Sequence, residues 1–250
     1  MPGPGRTRLY LAAMGTALTR RPRWERCEIC GGRRLQVWTQ AGYRNGLRCL
    51  SCRATPNHRA IWRVLGDEVG DRLARLRILH LGGHGALHRA LRRRCSGYVP
   101  TEYFPDVPPG ARGPSGLACQ DVRRLTYADA SFDVVLSTEV FEHVAGYERG
   151  FAEVRRVLAP GGCHVFTVPL SRSGPTTVRA RERPDGSIEH VLPPAYHGDP
   201  LRDRGALVFQ DFGHDIVSLV DALGTSSRIE HVRLDPREPP IEVLVSRRAP

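Results

Sequence analysis

The sequence DVRRLTYADASFDVVLSTEVFEHVAGYERGFAEVRRVLAPGGCHVFTVP, residues 121–169, decides the fold of this 250-residue chain. Phe132–Ser137 is a short apolar run rich in valine, which predicts a buried strand. Apolar residues at helical spacing over Glu148–Leu158 predict a helix that ends before Pro160-Gly161-Gly162. Cys163–Val168 is the next apolar run. A strand, a helix and a second strand in this order predict a parallel sheet covered by helices.

Three polar residues, Glu139, Glu142 and His143, directly follow the first of these strands. Ligands of open parallel sheets bind beyond the carboxyl ends of the strands. We therefore expect this turn to lie beside a ligand.

The order of the motifs in the same stretch also resembles a known family. The acidic Asp121 is followed by LTYADASFDVV, then EVFEHV, then EVRRVLAPGG, and this order resembles class I S-adenosylmethionine (SAM)-dependent methyltransferases, type 11-like. The resemblance runs from about Ile78 to Val245. It implies a Rossmann-like α/β sheet, mostly parallel with an antiparallel last strand, SAM as cofactor, and a transferase of class EC 2.1.1.

A glycine-rich loop, GGHGA, follows the predicted first strand of this domain, Ile78–Leu81. The family's loop reads E/D-x-G-x-G-x-G, and its glycines let the backbone approach the cofactor. Here the glycines are out of phase, because His80 replaces the acid, His84 the second glycine and Ala86 the third. The resemblance still implies cofactor contacts by Gly82, Gly83 and Gly85.

Three acids are further cofactor candidates. Glu102 ends the predicted strand Gly97–Glu102, twenty residues after Gly82, where an acid can accept hydrogen bonds from ribose hydroxyls; an exposed loop acid is the alternative reading. The resemblance implies that Asp121 meets the adenine amino group, and Glu139 can face the cofactor.

Histidines are the candidate catalytic bases, because imidazole titrates near neutral pH. His143 lies just past a strand end, and His190 and His197 follow the polar stretch 171–187, which reads as a flexible insertion. The alternatives are a capping or core role for His143 and ordinary loop hydrogen bonding for the other two.

Two cysteine pairs near the N-terminus predict a metal site. Cys27-x2-Cys30 and Cys49-x2-Cys52 are separated by eighteen residues, a spacing typical of a zinc ribbon with four thiolate ligands. Such a closed site makes the zinc structural. The intervening segment reads as a hairpin with Asn45-Gly46 near its turn. A redox dithiol pair is the alternative.

The chain therefore divides into a basic, disordered tail (1–23), a zinc ribbon (24–58), a linker helix (59–77) and a methyltransferase domain (78–250). Residues 1–63 carry 13 arginines and 2 acids, whereas the rest carries 24 of each. This asymmetry predicts a nucleic acid or another anionic partner, or else a solvated basic tail. Trp24, Trp38 and Tyr43 could stack on bases or form the ribbon's core.

Composition indicates a cytoplasmic protein without a membrane partner. Apolar residues make up 40% and charged residues 25% of the chain, as in soluble domains. Four of the seven cysteines form the metal set, which fits a reducing compartment better than a disulfide framework. The apolar run Leu9–Leu18 is too short to span a bilayer.

The predicted function is methyl transfer from SAM to an unidentified acceptor, either a small molecule or RNA. The alternative is a non-catalytic nucleic-acid-binding or scaffold protein on a degenerate methyltransferase fold, which the out-of-phase glycines and the basic ribbon would suit. Glu102 and Asp121 favour the enzyme, because a scaffold has no use for contacts to ribose and adenine.

Overall fold

A computed structural model describes residues 20–199 and 202–250; residues 1–19 of the expected tail lie outside this range. The strands are β1 Arg23–Arg26, β2 Arg33–Trp38, β3 Leu47–Cys49, β4 Arg77–Leu81, β5 Gly97–Glu102, β6 Ala118–Cys119, β7 Phe132–Thr138, β8 Leu158–Thr167, β9 Thr177–Val178, β10 Ala180–Glu182, β11 Ile188–His190, β12 Tyr196–Asp199, β13 Arg202–Leu207, β14 Gln210–Asp211, β15 Thr225–Val232 and β16 Ile241–Arg248. The α-helices are α1 Tyr43–Gly46, α2 Pro56–Val69, α3 Gly85–Arg94, α4 Tyr147–Val157 and α5 Ile216–Asp221, with 3₁₀ turns at Gly70–Arg75 and Phe141–His143.

Seven strands form the central sheet in the order β15-β16-β8-β7-β4-β5-β6. The five strands from β8 to β6 in that order pair in parallel, and β16 pairs antiparallel with both β8 and β15. The expected Rossmann-like sheet with an antiparallel last strand is therefore confirmed.

The second strand of the diagnostic stretch begins earlier than the sequence predicted. Helix α4 ends at Val157, and Pro160-Gly161-Gly162 lies inside β8. The pairing shifts register between Phe132 and Val134, so this end of β8 bulges to absorb the extra residues.

Alternation along the strands sends side chains into two cores, one on each face of the sheet. Ile78, Val134 and Val165 pack with α2 and α3, whereas their neighbours Leu79, Val135 and Phe166 pack with α4 and α5. The result is the three-layer arrangement expected of a parallel sheet.

The N-terminal ribbon shares the first of these cores. Its residues Ile29, Trp38, Tyr43 and Leu47 are buried in one cluster with α2 and the sheet. The strands β1, β2 and β3 pair antiparallel, as the hairpin prediction required. Asn45-Gly46, however, ends the one-turn helix α1 and does not form a two-residue turn.

Helix α2 begins inside the segment assigned to the ribbon. Thr55 caps it, Pro56 occupies its first turn, and the His58 ring reaches back to the Thr55 backbone N–H. These are strong helix-start signals. The α-helix ends at Val69 and a 3₁₀ turn follows over Gly70–Arg75, so α2 both begins and ends before the bounds expected for the linker helix, residues 59–77.

The polar segment after β8 folds into short antiparallel pairs, β9–β14, β10–β11 and β12–β13. Within the described ranges, no helix is both long and apolar enough to cross a membrane.

Candidate functional site

The glycine loop occupies the carboxyl end of β4. Gly82 and Gly85 have φ angles of 68° and 72°, which strain residues that carry a side chain. A Cβ atom on Gly83 would lie 2.7 Å from the Cβ of Pro100 on β5. All three glycines are therefore required for the turn, although their phase differs from the family's pattern.

Glu102 ends the neighbouring strand β5. Its Oε1 accepts the backbone N–H of Tyr103 at 3.0 Å, and its Oε2 lies 3.4 Å from Nδ1 of His84. The Glu102 side chain is 13% exposed. This arrangement leaves a carboxylate beside the glycine loop, with the exposed His84 as its neighbour.

A cavity of about 400 Å³ is lined by the segment that begins at Tyr103, the residue after Glu102. Its lining is mainly apolar and aromatic: Tyr103, Phe104, Pro105, Asp106, Val107, Pro114 and Ser115. A flat heterocycle is the kind of group that such a lining accepts.

Asp121 already has a cationic partner. The Arg123 guanidinium binds its carboxylate with Nη2 at 2.8 Å from Oδ2, and the Arg123 backbone N–H donates to Oδ1 at 2.9 Å. Arg123 also pairs with Glu182. If Asp121 bound adenine, its carboxylate would do so while it remained paired with Arg123.

Glu139 follows β7 with a φ of 54°, an uncommon backbone for a residue with a side chain and one often found at functional sites. Its Oε1 accepts from Nη2 of Arg44 at 2.8 Å and from Nδ2 of Asn57 at 3.3 Å. Arg44 Nη2 also donates to the carbonyl of Val168 at 3.0 Å. The ribbon therefore reaches the ligand-binding edge of the sheet, a contact that sequence reasoning missed.

Three side chains, Glu142, His143 and His197, form what we term the Glu142 cluster. Oε1 of Glu142 lies 3.7 Å from Nε2 of His143 and 3.6 Å from Nδ1 of His197. The two imidazole rings are 5.0 Å apart and nearly perpendicular. The 3₁₀ turn after β7 positions the first two residues, and β12 brings in the third.

Electrostatics in this cluster follow from burial. Glu142 is 1% exposed, and burial raises the pKa of its carboxyl, while the nearby Glu142 raises the pKa of His197. Sequence reasoning noted Glu142 as a polar residue after a strand but did not select it. Its position between the two selected residues Glu139 and His143 could have indicated it. Its partner His197 lies 55 positions away in the sequence.

His190 is not part of this cluster. It lies exposed on the hairpin β10–β11, opposite Ala180. Of the three histidines proposed as bases, the structure brings together His143 and His197 only.

A neutral imidazole replaces the family's acid at the end of β4. His80 is buried, its Nδ1 lies 2.8 Å from the Tyr98 hydroxyl, and burial lowers its pKa to about 3. His58, beside Gly85, likewise has its pKa lowered by burial, to about 4. The loop region therefore lacks the negative charge that an acid would supply at position 80.

The four predicted metal ligands meet at one point. Sγ atoms of Cys27 and Cys52 are 3.6 Å apart, those of Cys30 and Cys49 are 3.8 Å apart, and all four sulfurs lie within 4.8 Å of one another. Four sulfurs bound to one zinc ion at about 2.3 Å would lie about 3.8 Å apart. The donor set fits tetrahedral zinc.

Comparison with known proteins identifies a family for the central segment. Residues 79–166 match the family model described as a methyltransferase domain. A solved structure of an S-adenosylmethionine-dependent methyltransferase from Mesorhizobium loti shares the fold, with a TM-score of 0.52 and 17% identity over 78% of this chain and 99% of that chain.

Curated relatives match over shorter stretches. A sarcosine/dimethylglycine N-methyltransferase from Halorhodospira halochloris is 32% identical over 101 residues, which are 36% of this chain and 33% of that protein. A dimethylglycine N-methyltransferase from Parasynechococcus marenigrum is 47% identical over 47 residues, 19% of this chain and 17% of that protein. The chain thus spans a third or less of these relatives.

Proposed function

Residues 79–166 belong to the methyltransferase domain family, and from that premise we propose that the chain transfers a methyl group from SAM to a small-molecule acceptor. The observation that carries the proposal is the meeting of two features at one edge of the sheet. The glycine loop with Glu102 suits a nucleoside cofactor, and the Glu142 cluster beyond β7 suits an acceptor.

The cofactor half of the site consists of a backbone cradle and an acid. SAM supplies a methyl group activated by its sulfonium. The turn at Gly82, Gly83 and Gly85 keeps the backbone clear of side chains, and Glu102 offers a carboxylate to ribose hydroxyls. The cavity after Glu102 accepts the adenine ring. The carboxylate of Asp121 accepts a hydrogen bond from the adenine amino group and stays paired with Arg123.

The acceptor half is the Glu142 cluster. Nδ1 of His143 lies 2.7 Å from the carbonyl oxygen of Leu207, so Nδ1 carries the proton and Nε2 faces Glu142. An imidazole in this tautomer can take a proton from the acceptor. His197 is the second group able to do so, whereas His190 lies exposed on the hairpin β10–β11, outside the Glu142 cluster.

A small acceptor is favoured over nucleic acid. Two of the matched relatives are named for sarcosine or dimethylglycine. Arg23, Arg44 and Arg59 of the basic quarter pair with acids of this chain. Trp38 and Tyr43 lie in the core, and only Trp24 of the three aromatic candidates is exposed. Nothing in the described residues favours the non-catalytic nucleic-acid-binding alternative.

We assign a structural zinc ion to Cys27, Cys30, Cys49 and Cys52. The ion would fix the ribbon, and the ribbon places Arg44 on Glu139. Reduced thiolates are stable in a reducing compartment, so we place the protein in the cytoplasm.

The test is methyl transfer from SAM labelled in its methyl group to a panel of small amines, carboxylic acids and hydroxyl compounds that includes sarcosine and dimethylglycine. We expect acceptor-dependent label transfer that falls about 10²–10⁴-fold in His143→Ala and persists in His190→Ala. A His143→Ala enzyme with full turnover would remove His143 from the mechanism. Protein that binds SAM but labels no acceptor in the panel would contradict the small-molecule assignment.

A further inference from the structure

The Glu142 carboxylate is buried without a hydrogen-bond donor. Both of its oxygens are shielded from solvent, and neither has a hydrogen-bond partner among the described residues. A buried carboxylate without compensation is costly. Folded proteins therefore pair such a group or use it to bind a ligand.

Two imidazole nitrogens converge on this carboxylate at distances longer than hydrogen bonds. Nε2 of His143 and Nδ1 of His197 lie 3.7 Å and 3.6 Å from Oε1, and the ligand atoms of the cluster all lie within 4.8 Å of one another. Atoms that bind one ion at about 2.1 Å lie roughly 3.0–3.5 Å apart. The two distances from Oε1 of Glu142 need to shorten by only a few tenths of an ångström to reach this range.

The second ring nitrogen of His143 makes a contact that is typical of metal-binding histidines. Nδ1 of His143 lies 2.7 Å from the carbonyl oxygen of Leu207. Histidines that bind metals commonly donate their second ring N–H to a carbonyl, which fixes the ring and directs the lone pair of the other nitrogen at the ion. Here that other nitrogen faces Glu142.

Glu139 does not belong to this set, although it is only three residues away. Arg44 and Asn57 occupy its carboxylate. The ligand set is therefore one carboxylate and two imidazoles.

We propose that Glu142, His143 and His197 bind one divalent first-row transition-metal ion. Two imidazoles with one carboxylate are typical ligands of zinc, manganese or iron, whereas magnesium and calcium prefer oxygen ligands throughout. Three protein ligands leave coordination positions for water or for an acceptor atom. The metal site stands on its own geometry, and its role in methyl transfer rests on the proposed function.

Such an ion favours an oxygen acceptor. A divalent ion lowers the pKa of a coordinated hydroxyl and so produces a nucleophile at neutral pH. Coordination of an amine instead occupies the lone pair that must attack the methyl group. With the ion bound, Nε2 of His143 and Nδ1 of His197 coordinate it and no longer act as bases, so the acceptor's proton leaves to solvent.

The experiment uses Mn²⁺ as the probe, because Mn²⁺ prefers oxygen and nitrogen ligands to thiolates. Protein loaded with one zinc ion per chain, which the four thiolates take up first, is titrated with MnCl₂, and free Mn²⁺ is followed by electron paramagnetic resonance. We expect one saturable site per chain, and at least tenfold weaker binding in Glu142→Gln and in His197→Ala. The matched controls, Glu148→Gln and His190→Ala, replace exposed residues and should bind as the wild type does.

Thermal unfolding gives a second readout that does not depend on activity. Mn²⁺ should raise the Tm of the wild type and leave that of Glu142→Gln unchanged. Without metal, Glu142→Gln should be at least as stable as the wild type, because it removes a buried carboxylate whose two imidazole neighbours lie beyond hydrogen-bond distance. His197 is 43% exposed, so His197→Ala tests the site without opening the core.

The proposal is overturned if zinc-loaded protein binds no Mn²⁺, or if His190→Ala weakens binding as much as His197→Ala does. SAM binding is measured separately on the same samples. Protein that binds Mn²⁺ but not SAM would support the metal site and contradict the proposed function. Protein that binds SAM but not Mn²⁺ would contradict the metal site and leave the proposed function standing.

Discussion

At the scale of single residues, Glu139 and Glu142 show how neighbouring carboxylates acquire different roles. Arg44 neutralises the first from the ribbon, whereas the second lies buried against two histidines. The sequence places both acids after the same strand. Their partners Arg44 and His197 lie far away in the sequence, so only the folded chain distinguishes the acid paired with an arginine from the acid buried beside imidazoles.

The space at Gly83 gives a prediction for the cofactor loop. Gly83→Ala would drive a Cβ to 2.7 Å from the Pro100 Cβ, so we expect it to destabilise the protein by about 1–3 kcal/mol and to weaken SAM binding. The control, Gly66→Ala, lies in α2 with open space around it and should stabilise the protein by about 0.5–1 kcal/mol. Urea midpoints measure both. Equal effects of the two substitutions would refute the steric argument.

Buried histidines make stability depend on acid. Burial lowers the pKa of His164 to about 3, as it does for His80, so below about pH 6.5 the unfolded chain takes up protons that the folded chain does not. With respect to these two histidines, the free energy of unfolding is therefore highest above pH 6.5 and decreases as the pH falls toward 3. We expect His164→Gln to reduce the slope of unfolding free energy against pH by up to about 1.4 kcal/mol per unit.

Urea unfolding between pH 7.5 and 4.5 measures this slope. Replacement of the exposed His190 by Ala should leave it unchanged. An identical slope in the wild type and His164→Gln would show that His164 does not titrate in this window.

At the scale of elements, α2 connects the ribbon to the sheet. Arg59 on this helix is 1% exposed; its Nε lies 2.6 Å from Glu28 and its Nη1 lies 3.2 Å from Glu25. The same helix packs Ile61 and Leu65 into the core shared by ribbon and sheet. The sequence predicted a linker helix here, but no local pattern marks Arg59 as buried.

Removal of this arginine should therefore separate ribbon from domain. Arg59→Met removes the cation that pairs with Glu28 and one of the cations that pair with Glu25, and breaking a buried ion pair typically costs about 3–5 kcal/mol. Arg63→Met, one turn away on the exposed face, should change stability by no more than about 0.5 kcal/mol. Denaturant unfolding compares the two variants, and a loss of less than 1 kcal/mol for Arg59→Met would contradict the connecting role.

The cysteine set gives a second prediction at this scale. Cys52→Ser should abolish zinc retention, measured by elemental analysis, and weaken SAM binding because Arg44 and Asn57 would lose their hold on Glu139. The control is Cys95→Ser. In the wild type the Cys95 thiol donates to the Leu76 carbonyl at 3.1 Å, and the serine hydroxyl can donate to the same carbonyl. A Cys52→Ser protein that keeps its zinc would refute the ligand assignment.

At the scale of the whole molecule, the sequence predicted the sheet well, because hydrophobic runs and turn residues are local signals. The strands at Phe132 and Ile78 lie where apolar patterning placed them, and the last strand is antiparallel as the family resemblance implied. Contacts between distant segments escaped prediction. The ribbon appeared to be a separate basic module, yet it shares a core with the sheet, and His197 joins Glu142 only through the fold of the insertion.

Calorimetric titration of SAM into zinc-loaded protein tests the central claim most directly. We expect one site per chain, and Glu102→Ala should weaken it about 10–150-fold, since a hydrogen bond to a charged group contributes about 1.5–3 kcal/mol. Asp67→Asn, which alters an exposed acid on α2, should bind SAM as the wild type does. If folded, zinc-loaded protein bound neither SAM nor S-adenosylhomocysteine, the chain would not be a SAM-dependent methyltransferase.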